Sequence, residues 1–186
     1  MTRPAFPIRS VRASALGAAL IGAALMLLPA TGALAAEPVP LGTFTDWRAY
    51  KVTNGPNTIC YALSQPKDTA PKNVKRGQIY VMVANWPGRN VKGEVSVVAG
   101  YPYKKGSNVT ADVDGAKHTL FTENDAQNEG GAWVQDRASE RKLIAAMKRG
   151  NSLRVQGTSG RGTLTTDRYS LSGVTAAIKA IDDGCK

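Results

Sequence analysis

Histidine is nearly missing from this chain of 186 residues. His118 is the only one, and there are just two cysteines, Cys60 and Cys185. A zinc site draws on several His and Cys ligands at short spacing, so the chain lacks the supply for one. No Cys-x-x-Cys pair exists, which removes the commonest redox motif. A serine triad would have to use His118, and no Gly-x-Ser-x-Gly elbow is present. Acidic side chains are few, 14 against 24 lysines and arginines, for a net charge of +10. Beyond residue 35 no run is apolar enough to cross a bilayer as a helix.

What is present begins at the N-terminus. Arg3, Arg9 and Arg12 form a positive leader without acidic residues, Ala13 to Leu28 an apolar run rich in Ala and Leu, and Ala33-Leu34-Ala35 a small-residue site after Pro29 and Gly32. Positive, apolar, then small is the order of a cleavable signal peptide. A retained anchor is the competing reading, but the many Ala and Gly residues make the run weakly hydrophobic. The expected organisation is a signal peptide over residues 1–35 and one domain over residues 36–186, a usual single-domain length. Export places that domain in the periplasm or cell envelope.

Losing the three leader arginines leaves 21 cationic residues against 14 acidic ones, a net +7. Such an excess favours anionic partners: in an envelope these are lipid, lipopolysaccharide or wall polymer, or an envelope protein with an acidic face. It also serves solubility alone. Nucleic acid is disfavoured by export and by the lack of a basic run interleaved with stacking aromatics. In an oxidising compartment two cysteines pair, so Cys60 and Cys185 are expected to form a disulfide closing a loop of about 125 residues. Loop-closure entropy sets a ceiling of roughly 5 kcal/mol on its contribution.

The pattern along the chain is mainly β. Glu37 to Gly42, with Pro38 and Pro40, reads as an extended lead-in, and Gln65 to Gly77 as a polar loop. Strand signals cover Phe44–Val52, Thr58–Ser64, Gln78–Asn85 and Glu94–Ala99. Val109, Ala111 and Val113 alternate with polar residues up to Asp114-Gly115, a strong hairpin signal because both turn positions take positive φ; the strand returns through Thr119 and Phe121. Ser152–Thr158 and Gly162–Leu171 form a second pair about Ser159-Gly160-Arg161. Helical periodicity appears over Arg137–Arg149, with Gly150 at the C-terminal cap position, and over Ser172–Asp182, with Ser172 as the N-cap. Seven or eight strands and two short helices predict an antiparallel β-sandwich or open barrel with the helices packed on it.

No constellation assembles into a catalytic set. Ser139-Glu140-Arg141-Lys142 matches Ser-x-x-Lys, but its companion Ser-Asp-Asn and Lys-Thr-Gly elements are missing, and the opening turn of an amphipathic helix with Lys142 facing solvent explains the same residues. Asp112-Val113-Asp114-Gly115 hints at a calcium loop, yet alignment on Gly115 puts Thr110 and Phe121 where ligands belong; a hairpin turn accounts for it. The reading is therefore of a chain without catalytic residues, cofactor or metal. A small envelope hydrolase acting on glycan or peptide is the alternative, and it requires carboxylates such as Asp112, Asp136 or Asp167 to converge in a cleft. Two surface segments suit an anion or glycan: Tyr101-Pro102-Tyr103-Lys104-Lys105, where aromatics meet cations, and the turn at Arg161, whose backbone amides suit an anion. Ordinary core-edge tyrosines beside solvated lysines, and an ordinary hairpin turn, are the competing explanations.

Gly157-Thr158-Ser159-Gly160-Arg161-Gly162-Thr163, then Thr165-Thr166-Asp167 and Tyr169-Ser170-Leu171-Ser172-Gly173, lead into an Ala-rich helix ending at Cys185. Together with Phe44-x-x-Trp47 shortly before Cys60, the strand Ile79–Val83, and Asp136-Arg137 opening the amphipathic helix, this order resembles the invasion-associated locus B family of Gram-negative envelope proteins. The resemblance runs from about Phe44 to Cys185 and lies in the whole order. It implies a secreted, mainly β envelope domain, linked in some pathogens to host-cell invasion and virulence, with no enzymatic activity. A role in envelope integrity or in host adhesion is compatible with it.

Overall fold

A computed structural model describes residues 36–125 and 129–186; the expected signal peptide and its cleavage site lie outside the described residues. Eleven strands follow in order: β1 (Val39–Phe44), β2 (Trp47–Asn54), β3 (Asn57–Ser64), β4 (Asp68–Ala70), β5 (Tyr80–Trp86), β6 (Val91–Val98), β7 (Asn108–Val113), β8 (Ala116–Asn124), β9 (Gly130–Trp133), β10 (Ser152–Thr158) and β11 (Leu164–Ser170). Helix α1 (Arg137–Arg149) precedes β10, and α2 (Val174–Gly184) follows β11. The strands form one antiparallel sheet in the order β1-β2-β3-β5-β6-β9-β8-β7-β10-β11-β4. The expected mainly β architecture with two packed helices holds.

The sheet curls so that its far strands meet without pairing. The buried Trp47 of β2 donates its indole N–H to Ser170 O of β11 (3.1 Å), and Asp46 N–H donates to Ser172 O (3.2 Å). The inner surface follows from period-two alternation: Ala49, Ala62, Val81, Val83, Val95, Val97, Leu120, Val109, Ala111, Leu153 and Val155 are all buried. Helix α2 adds its stripe of Val174, Ala177, Ile178 and Ile181, and α1 adds Leu143 and Met147. Each of the larger side chains, Val, Leu, Ile or Met, contributes about 1.5–3 kcal/mol on full burial. The Cys60–Cys185 disulfide forms as expected and ties the end of α2 to β3 across 125 residues. Lys51 Nζ donates to Gly184 O (2.8 Å), satisfying a carbonyl left open at that helix terminus.

Helix α1 has the bounds that the periodicity predicts. Asp136 caps it, accepting from Ala138 N and Ser139 N, both at 2.9 Å. Glu140 accepts from Val95 N–H at 2.8 Å, where β6 runs on past the end of its neighbour β9. The hairpin turn also forms as read, with φ of 47° at Asp114 and 99° at Gly115.

Other expectations are corrected. The described residues form eleven strands, not seven or eight. The lead-in to Gly42 contains most of β1, which tolerates Pro40 because it is an outer strand with one free edge. The polar loop 65–77 contains β4, three residues paired with β11. Strand β9 was not foreseen. Ser172 is not the N-cap of α2: Gly173 holds that place at φ 93°, where an added Cβ would stand 1.9 Å from Phe44 O. Gly150 ends α1 in an extended conformation (φ −85°, ψ 169°) rather than a left-handed one.

Candidate anion-binding cleft

Three chain segments converge at one end of the barrel. The segment entering β5 brings Asn73, Val74, Lys75 and Arg76; the connection after β6 brings Tyr101-Pro102-Tyr103; the turn from β10 to β11 brings Ser159, Gly160, Arg161 and Thr163. Together with Asn124 and Thr165 they line a cleft of about 800 Å3 that contains three cationic side chains and no carboxylate.

Backbone pairing holds the lips in place. Gly160 N–H donates to Pro102 O (2.7 Å), Lys104 N–H donates to Thr158 O (2.9 Å), and Tyr103 and Ser159 form an isolated antiparallel bridge. Asn124 locks the aromatic arm from below, accepting from Tyr103 N–H (2.8 Å) and donating to Tyr103 O (2.9 Å). The turn is closed by Ser159, which donates its N–H to Thr163 O and accepts from Gly162 N–H and, on its hydroxyl, from Thr163 N–H.

The cations play different parts. Arg76 is committed: Nη1 and Nη2 donate to the two oxygens of Asp167, each at 2.6 Å, and Nε donates to Ala99 O (2.8 Å). Only 5% of the Arg76 side chain and 2% of that of Asp167 is exposed, which makes this a buried, bidentate pair. The guanidinium lies 5.0 Å from the centre of the Tyr101 ring. Lys75 and Arg161, by contrast, are exposed, and neither forms an ion pair among the described residues. The cleft therefore presents two free positive charges above a fixed, neutralised floor.

The phenols stay neutral. Burial raises the Tyr101 hydroxyl above its usual range, with its 2.6 Å hydrogen bond to Thr165 Oγ1 acting in the opposite sense. Burial pushes Tyr103 up much further, and its hydroxyl has no partner among the described residues. Of the residues singled out in the sequence, Tyr101, Tyr103 and Arg161 come together here. Lys104 and Lys105 do not line the cleft; they occupy the next turn, exposed to solvent. Asn73, Lys75 and Asn124 were missed, because each lies in a polar stretch without a motif and only the fold brings it in.

The carboxylates of the hydrolase alternative sit apart. Asp167 is held by Arg76, Asp136 caps α1, and Asp112 pairs with Arg154 and accepts from Gly115 N–H (2.7 Å). Register puts Asp112 and Asp167 on opposite faces of the sheet: Asp112 aligns with Arg154 and Arg154 with Arg168, whose chain neighbour Asp167 points the other way. His118 is half-buried with no partner for Nε2 among the described residues, and burial, then Lys142, lowers its pKa. Among the described residues no three His, Cys, Asp or Glu side chains gather as a metal site.

Comparison with curated proteins and with solved structures finds no significant match to either. The sequence profile of the invasion associated locus B (IalB) proteins matches residues 47–182, from the buried Trp47 to the last turn of α2, and the chain belongs to that family.

Proposed function

We propose that this protein is a non-enzymatic component of the cell envelope that binds an anionic envelope molecule in the cleft between Lys75 and Arg161. The observation that carries this reading is the charge balance of the cleft wall: two unpaired cations face a concave surface from which carboxylates are missing. Desolvated walls focus a positive field on anions, and the neutral phenol of Tyr101 adds an aromatic surface beside the charges. The net charge of +10 and the leader-like N-terminus support an envelope setting. Lipid phosphate, lipopolysaccharide and acidic wall polymer share the chemistry that such a cleft recognises.

The test is binding of the purified protein to lipopolysaccharide, to phosphatidylglycerol vesicles and to wall fragments, across a salt series. Binding to one of these should weaken as salt rises, and Lys75→Glu with Arg161→Glu should remove it while leaving the melting temperature near that of the parent. No binding at low salt, or binding indifferent to both reversals, contradicts the proposal.

A further inference from the structure

The outer face of the sheet carries a second feature, away from the cleft. Cross-strand partners share a face, and the register aligns Met82, Ser96, Trp133, Phe121 and Asn108 in one row across β5, β6, β9, β8 and β7. At strand spacing this row spans about 19 Å. The residues that flank it along the strands, Val81, Val97, Ala132, Leu120 and Val109, point into the core. Both helices bury their apolar stripes on that inner side, so the row looks outward.

Two details make it more than scattered surface hydrophobics. First, Gly131 leaves room for the Trp133 ring to lie flat. A Cβ on Gly131 would stand 2.2 Å from Cη2 and 2.7 and 2.8 Å from its two ring neighbours, and neighbours so little farther than Cη2 mean that the ring meets the backbone face-on, since an edge would hold them well away. Its other face is turned away from the sheet, with the Phe121 ring beside it at 6.1 Å and tilted by 34°. Second, Ser96, between Met82 and Trp133 in the row, has a buried hydroxyl with no hydrogen-bond partner among the described residues. At the far end the Lys104–Ser107 turn runs into Asn108 and is pinned to β8 by Thr122, whose hydroxyl donates to Ser107 O (2.7 Å). Lys104 and Lys105 on this turn are exposed and form no ion pair among the described residues.

We infer that this face is a stacking platform for an acidic saccharide, a pyranose chain bearing carboxylate or phosphate groups. The negative face of an aromatic ring attracts the polarised C–H bonds on the flat side of a pyranose. A ring lying flat on the sheet suits that contact, whereas a tryptophan entering a lipid bilayer projects from the surface. The exposed Asn108 amide meets sugar hydroxyls, and the two lysines supply the complementary charge. The platform shares neither residue nor face with the pair Lys75 and Arg161, so it stands or falls separately from the cleft.

Tryptophan fluorescence and calorimetry of the purified protein test it, with oligogalacturonate as the carboxylate probe, a phosphorylated mannose oligosaccharide as the phosphate probe, and phosphatidylglycerol vesicles as the lipid control. Saturable, salt-sensitive binding of one of the two saccharides is expected. Trp133→Ala should weaken it by about tenfold or more, as an anchoring aromatic does, and Lys104→Glu with Lys105→Glu should weaken it in the same direction. In the Lys75→Glu, Arg161→Glu background the saccharide should still bind and should still lose affinity on Trp133→Ala. The exposed lysine pair keeps the test decisive if Trp133→Ala fails to fold. Binding of vesicles alone, of neither saccharide, or of a saccharide indifferent to the Lys104 and Lys105 reversals overturns the inference.

Discussion

Arg76 and Asp167 lie 91 residues apart in the chain and meet through two parallel 2.6 Å hydrogen bonds inside the barrel end. The pair joins the segment carrying Lys75 to β11, so one lip of the cleft is fixed by a buried charge contact. Removing one partner leaves the other charge buried and alone, which typically costs about 3–5 kcal/mol. Arg76→Ala and Asp167→Ala should each lower stability by that order in urea titration. Joint replacement by Met and Leu should recover much of it, because a well-packed apolar pair is often as stable as the ions. Additive losses in the double variant would contradict the pairing.

The disulfide closes 125 residues and fastens α2 to β3. Cys185→Ser should destabilise the fold by about 2–5 kcal/mol, read as a lower melting temperature that reducing agent reproduces in the parent and leaves unchanged in the variant. Equal melting of oxidised and reduced parent would remove the bridge from the account.

Acid should loosen the structure. The Gly115 amide and Arg154 hold Asp112 below its ordinary carboxylate pKa, the Asn151 amide does so for Asp114, and Ser139 for Asp136. A carboxylate with a depressed folded pKa contributes stability above the unfolded value near pH 4, and the contribution is lost as pH falls through the folded value. The melting temperature should therefore drop below about pH 4, and less steeply in Asp114→Ala. Glu140 works in the opposite sense, since burial raises its pKa. Its share is fully present below the unfolded pKa and lost as pH rises through the folded one, so Glu140→Gln should gain stability relative to the parent as pH goes from 4 to 7. A parent melting temperature that climbs on acidification below pH 4 would refute the assignment for the three aspartates.

Gly173 has the sharpest steric demand among the described glycines. With φ at 93° and Phe44 O at 1.9 Å from an added Cβ, Gly173→Ala must shift backbone in the β1–β2 turn or at the start of α2. Stability should fall by more than about 1 kcal/mol, measured by denaturant unfolding. Gly162→Ala provides the contrast: φ there is 87°, with nothing within 4 Å, so its loss should be smaller. Equal losses at the two positions would mean that conformation alone, without the clash, sets the cost.

Local chemistry made much of this fold readable. Helix α1 announces itself through its apolar periodicity over Arg137–Arg149, and the Asp114-Gly115 hairpin through its turn. Strand β9 was hidden because Gly-Gly-Ala-Trp has no alternation to read: its glycines are required by the Trp133 ring and by close backbone neighbours, which sequence does not display. Strand β1 was masked by Pro40, and β4 by its three-residue length. At the site, Tyr101, Tyr103 and Arg161 stood out because aromatics and cations adjoin turn residues. Lys75 did not, since its place in the same cleft as Arg161 depends on the Arg76–Asp167 contact formed across the fold. Lys104 and Lys105 stand next to Tyr103 in sequence but on another surface, because the chain turns between them and the cleft.

The central claim, an anion held between Lys75 and Arg161, is met most directly by amide chemical-shift mapping during titration with lipopolysaccharide below its aggregation threshold. Shifts should concentrate at residues 73–76, 101–103 and 159–163 and fade as salt is raised. Shifts spread over the whole surface, or confined to segments away from these three, would contradict it.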